Sequence, residues 1–194
     1  FDALDTFVMT TDHTTPKKSG PHVRDYMDLK RTMWIVVIAM LPSLLWSFYN
    51  VGVQHFEAVG QVATKVVAGG GSYEYTLGWL QSLLFGSDYG AQLAANEYQA
   101  GFVDQLVFGL QRMLPIVFVS YFVGGNIEAV FSVWRKEEIS EGYLVTGMLI
   151  ALIVPASIPL WQLALACAFS VILCKEVFGG TGMNIFNVAM MARA

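Results

Sequence analysis

Apolar positions run along this chain in long uninterrupted blocks. From Leu144 to Cys174 it reads L-V-T-G-M-L-I-A-L-I-V-P-A-S-I-P-L-W-Q-L-A-L-A-C-A-F-S-V-I-L-C, thirty-one positions without a charge. Pro155 and Pro159 fall near its middle and mark the tip of a helical hairpin. A charged side chain at bilayer depth costs a few kcal/mol, so the block predicts two membrane segments back to back. Met33 to Tyr49 is apolar as well, and no charge follows before Glu57, which allows the roughly 20 residues a bilayer requires. Pro42 is a kink signal inside that span, and Trp34, Trp46 and Tyr49 lie near its ends as interfacial aromatics do. Leu106 to Trp134 forms a third apolar region, interrupted by Arg112, Pro115, Gly124–Gly125 and Glu128.

Residues 50–104 are the least hydrophobic stretch, glycine-rich from Ala68 to Ser72 and amphipathic from Gln61 to Val67. The pattern therefore predicts an all-α membrane protein. A cytoplasmic segment covers 1–32, a first membrane helix 33–53, an external loop 54–105 and a second membrane helix region 106–134. A cytoplasmic loop at 135–143, the apolar hairpin at 144–174, and a glycine-rich turn leading into a further membrane helix at 175–194 complete the order. Bases precede the first span (Lys17, Lys18, Arg24, Lys30, Arg31), follow the second (Arg135, Lys136) and follow the hairpin (Lys175), while the 50–104 stretch holds only Lys65. The positive-inside rule puts the first three groups in the cytoplasm and the Lys65 loop outside.

Composition agrees. Of 194 residues, 55% are hydrophobic and 13% charged, against about a quarter charged in a soluble domain. The net charge of -4 argues against a nucleic-acid partner. Cys167 and Cys174 are seven residues apart, about two helical turns, which fits neither a disulfide nor a metal spacing. They read as buried, inert thiols. His13, His22 and His55 fall on two sides of the expected membrane and form no metal site. The chain opens at Phe1 and stops within an apolar run, so it reads as a piece of a longer membrane protein.

Glu128 is the most telling residue. An acid within a span faces a water path, a base or an ion, unless the span ends early and leaves it at the interface. Gly124–Gly125 permits close approach of a ligand or of a neighbouring helix. F-G-G-T-G-M-N at Phe178–Asn184 is not a dinucleotide fingerprint, because no strand precedes it, nor a phosphate loop, because no Lys-Ser/Thr follows. It supplies a glycine-rich approach to a helix whose first turn would hold Asn184 and Asn187. Those asparagines are either ligand contacts or ordinary caps. The segment before the first span, with Asp25, Asp28, Lys30 and Arg31, reads as a membrane-surface helix.

H-V-R-D at His22–Asp25, D-L-K-R at Asp28–Arg31, F-V-G-G-x-x-E at Phe122–Glu128 and K-E-V-F-G-G-T-G-x-N-x-x-N at Lys175–Asn187 together resemble the B subunit of the sodium-translocating NADH:quinone oxidoreductases, from about Phe7 onward. The D subunit of the Rnf electron-transport complex is similar in the glycine–asparagine part and less so elsewhere. The resemblance implies the first five-helix repeat of a ten-helix, inverted-repeat, urea-transporter-like bundle in a bacterial inner membrane. It implies a translocase subunit passing electrons from NADH through flavins to quinone, with other subunits as partners. Gly124 and Gly125 would then match quinone-site glycines, Glu128 an acid of sodium uptake, and Asn184 and Asn187 positions beside a non-covalent riboflavin. The family also carries FMN on a Thr of an S-G-A-T motif, which this chain does not contain. Family members usually read N-P-A after the second Asn; here Asn187 is followed by Val188. The same fold would also suit an Rnf-type subunit or a passive channel or solute transporter.

Overall fold

The computed structural model describes residues 29–71, 73–86, 88–95, 100–135, 142–180 and 184–194. The H-V-R-D motif, residues 136–141 of the expected cytoplasmic loop, and Thr181, Gly182 and Met183 lie outside the described residues. Helices make up the regular structure of what is described: α1 (Leu29–Ala68), α2 (Trp79–Phe85), α3 (Tyr89–Ala95), α4 (Phe102–Arg135), α5 (Gly142–Ile153), α6 (Leu160–Val171) continued by a π turn (Ile172–Glu176), and α7 (Val188–Arg193). Two of them, α1 and α4, are long and apolar enough to cross a membrane.

The first helix is much longer than the expected 33–53. It runs unbroken through Pro42 to Ala68, a rise of about 60 Å and twice the hydrocarbon thickness of a bilayer. The expected loop therefore begins with four more helical turns. Their stabilisation is tertiary. Phe56, Val59 and Ala63, at spacings of three and four, are buried on one face. Phe56 and Val59 join Tyr75, Leu93 and Phe108 in one cluster. Only the Gln61–Val67 part of this stripe reads as amphipathic in the sequence, and Glu57 interrupts the apolar run before it.

The chain divides into two compact units, each described by itself. One comprises residues 41–118 and 155–160. Here α1 and α4 pack backbone to backbone. A Cβ at Gly52 would overlap the Gln105 backbone, and a Cβ at Gly109 would overlap that of Phe48. Small residues that let helices approach this closely are the usual means of helix association in lipid.

The other unit takes residues up to 40, 119–154 and 161–194. Its outward positions are apolar: Phe122, Val130, Val133 and Trp134 on α4, and Trp161, Leu165 and Phe169 on α6. Its buried face carries polar residues, among them Ser120, Glu128, Ser132, Ser170 and Lys175. That inversion of the soluble pattern is expected of helices solvated by lipid. Between α5 and α6 the chain bends over residues 154–159 around both prolines. The described part of α5, twelve residues, rises about 18 Å, less than the roughly 30 Å of a bilayer core. A hairpin returns the chain to its starting side whether or not it crosses fully, so the expected placement of its two ends does not depend on hairpin depth.

Candidate functional site

On α4, Ser120, Gly124, Glu128 and Ser132 recur every fourth residue and form one buried stripe. α5 packs along this stripe through side chain–backbone bonds. The Tyr143 hydroxyl donates to the Ser120 carbonyl at 2.7 Å. The Ser120 hydroxyl donates to the Gly147 carbonyl at 2.9 Å. The Tyr121 hydroxyl donates to the Leu144 carbonyl at 2.7 Å. Hydroxyls that satisfy carbonyls across helices are favoured where no water competes.

The space in front of Gly124 is filled by protein. A Cβ there would overlap the ring and hydroxyl of Tyr143, whereas a Cβ at Gly125 would meet only Tyr143 Cδ1, at 3.9 Å. The two glycines are thus not equivalent. Gly124 is required by Tyr143, and only Gly125 leaves room for another group.

The centre of the unit is an ion pair. Lys175 Nζ donates to Glu128 Oε1 at 2.7 Å, with the side chains only 2% and 4% exposed. Glu128 is therefore buried within the protein. The π turn explains how a lysine at the end of a helix reaches it. Val177 N–H bonds to the Ile172 carbonyl, five residues back, at 2.9 Å, and the wider turn buries Cys174, Lys175 and Glu176 in succession. π turns inserted at helix ends often mark functional positions. The Lys175 ammonium also lies 5.8 Å from the Tyr143 ring centroid, over its face, where the ring quadrupole attracts a cation.

A second pair closes the same end. Arg135, the last residue of α4, donates to Glu176 Oε2 at 3.0 Å and to the Glu176 carbonyl. Gly180 has φ +90, and its missing Cβ would stand 3.0 Å from Arg135 Nη1. Gly180 therefore serves the left-handed turn and the guanidinium beside it. Two bases counted as cytoplasmic surface charges, Lys175 and Arg135, are in fact committed to acids. Nothing in residue spacing shows this, since the partners are 47 and 41 positions apart. A buried acid in a span does, however, call for a base, and K-E at Lys175–Glu176 beside the hairpin was the available signal.

The asparagines are placed differently from expectation. α7 begins only at Val188, so Asn184 lies in non-helical backbone before it, and Asn187 is the N-cap. Asn187 Oδ1 accepts from Ala189 N–H at 3.0 Å and Met190 N–H at 3.3 Å. The two side chains do not share a helical face, because the first turn starts four residues later than the motif suggested. Both residues are exposed. α7 packs against α5 and against the π turn. Cys167 and Cys174 are buried free thiols. Among the described residues no His, Cys, Asp or Glu cluster has metal-binding composition.

Comparison with known proteins places the whole arrangement. Residues 17–194 match the model of the NQR2, RnfD, RnfE family. The B subunit of the Na(+)-translocating NADH-quinone reductase of Yersinia pestis is 41% identical over all of this chain and 45% of its own length. Its counterpart of the same name in Klebsiella pneumoniae (strain 342) is 37% identical with the same coverage. The chain thus spans slightly less than half the length of these relatives, and its motifs, its helices and its buried Glu128 all lie within the matched region: it belongs to the NQR2, RnfD, RnfE family.

Proposed function

We propose that this chain is the ion-handling part of a multi-pass inner-membrane subunit in a sodium-pumping NADH:quinone reductase, one repeat of a ten-helix inverted-repeat bundle. The Glu128–Lys175 pair carries the reading. A buried carboxylate held by an ammonium at 2.7 Å is a cation site with an internal occupant. Sodium entering the same place would have to displace Lys175 Nζ from Oε1. Lys175 can swing toward the Tyr143 face it already overlies, and its attraction to that ring lowers the cost of the move. The pair thus prevents an empty, uncompensated acid between ions, which would be expensive at this depth.

Flavin and quinone complete the proposal. With Oδ1 of Asn187 spent on its cap, what suits a flavin is the Asn187 Nδ2 donor group and the whole amide of Asn184. Both offer donors for ring carbonyls, flanked by the exposed Phe178 and Phe186. These residues fit a non-covalent riboflavin; bound there, the flavin supplies one- or two-electron chemistry. The S-G-A-T motif that carries covalent FMN in the family does not occur in this sequence. On the quinone side, Gly125 is the glycine with space for a ligand edge.

The test is the quinone reductase rate against sodium concentration in the full complex carrying Glu128→Gln. A raised half-saturation for sodium, with assembly intact, is expected. An unchanged value removes Glu128 from the ion path and leaves the pair as a structural contact. The family model also covers Rnf proteins, and the same sodium titration with ferredoxin in place of quinone as redox partner separates that reading.

A further inference from the structure

Arg112 poses a problem that the ion pair does not solve. It lies ten residues into α4, about 15 Å along the axis, inside the helix apolar enough to span a membrane. The two ion pairs described above involve other side chains. A cation at that position needs an anion or water.

Arg112 lines a cavity of about 490 Å³ together with His55, Glu74, Trp79, Phe108 and Gln111. Its walls are built. His55 stacks on Phe108 with centroids 3.7 Å apart. His55 Nε2 lies 3.3 Å from the Tyr75 hydroxyl. That hydroxyl donates to Gln81 Oε1 at 3.3 Å, so its single hydrogen is spent and His55 Nε2 is the donor. Burial raises the Tyr75 phenol above its ordinary range, which keeps it a donor. Gly78 is needed because a Cβ there would overlap the Gln111 amide. Among the described residues, Gln111 Oε1 is buried without a hydrogen-bond partner, a state that is unfavourable because the oxygen has given up water and gained no donor.

The cavity therefore offers the exposed guanidinium of Arg112 and, among the described residues, a buried amide oxygen that lacks a donor, with the Glu74 carboxylate in the same wall. Its complement carries an anion and an N–H or O–H donor at once, and is close to neutral overall. The neighbouring helix α2 is inverted: Gln81 is fully buried while Trp79, Leu83 and Leu84 face outward. That is the surface of a helix lying against acyl chains.

We propose that this cavity binds a zwitterionic phosphate ester, the headgroup of an amine-bearing phospholipid. The phosphate sits on Arg112, the primary amine on Gln111 Oε1 and Glu74, and the acyl chains run along Trp79, Leu83 and Leu84. Arg112 is suited to phosphate by its planar fork of donors.

The test uses the full-length protein in its complex, stripped of lipid in detergent and returned to nanodiscs of phosphatidylethanolamine or phosphatidylcholine, with retained lipid read by native mass spectrometry. Wild type should retain phosphatidylethanolamine at least tenfold better than phosphatidylcholine, whose quaternary amine has no N–H. Arg112→Gln should lose retention of both. Gln111→Met, which keeps the side-chain length, should abolish the preference while the complex stays assembled, so the proposal remains testable if Arg112→Gln fails to accumulate. Free phosphoethanolamine binding the stripped protein as tightly as the lipid would keep the site and assign it to a soluble ester. Equal retention of both lipids by wild type, or undiminished retention by Arg112→Gln, overturns the proposal.

Discussion

Lys175 Nζ lies 2.7 Å from Glu128 Oε1, and neither side chain is more than 4% exposed. Breaking a buried pair by removing one partner typically costs 3–5 kcal/mol, about the cost of leaving the other charge uncompensated, whereas removing both costs much less. Lys175→Met alone should therefore lower the thermal midpoint of the purified complex more than Glu128→Gln with Lys175→Met together. Additive losses would show that the two side chains do not interact.

The two glycines of F-V-G-G should respond very differently. Gly124→Ala meets the Tyr143 ring and should reduce accumulation in the membrane severely, an overpacking penalty of about 1–3 kcal/mol or more. Gly125→Ala meets only ordinary contact and should accumulate normally. Tyr143→Ala should partly rescue Gly124→Ala. Equal accumulation of both single variants would contradict the packing described for Tyr143.

Asn187 has a capping duty that any flavin experiment must respect. Asn187→Ala should cost about 1 kcal/mol of helix stability, and Asn187→Ser much less. If the asparagines hold riboflavin, Asn184→Leu combined with Asn187→Ser should lose acid-extractable riboflavin while the protein still inserts. A full complement of riboflavin in that variant would reduce both residues to turn and cap.

Membrane placement is open to labelling. Ala68 ends α1 at an exposed position, and Cys167 and Cys174 are buried, giving a low background for an introduced thiol. Ala68→Cys in intact cells should react with an impermeant maleimide from outside. Reaction only after the cytoplasmic face is opened would reverse the orientation inferred from the bases.

The apolar blocks alone predicted a helical chain, the long apolar helices over 33–53 and 106–134, and a bend at Pro155 and Pro159; they also predicted two further full spans in the hairpin, where the described helices α5 and α6 have twelve residues each. Each is a local matter of hydropathy, length and proline, and needs no partner. The acid inside the second span was equally legible, because its cost in lipid does not depend on what neutralises it. What sequence left open was which residues meet. Lys175 and Arg135 looked like solvent-facing bases; a π turn at 172–176 and the end of α4 commit them to Glu128 and Glu176. Gly124 read equally as a ligand-side glycine or a helix-packing glycine, and Tyr143 from the next helix occupies the space a Cβ there would take. α1 looked finished near residue 53, yet contacts of Phe56 and Val59 with Tyr75, Leu93 and Phe108 carry it to Ala68. In each case the deciding energy comes from packing or charge pairing between residues far apart in the chain, and only the folded chain brings those residues together.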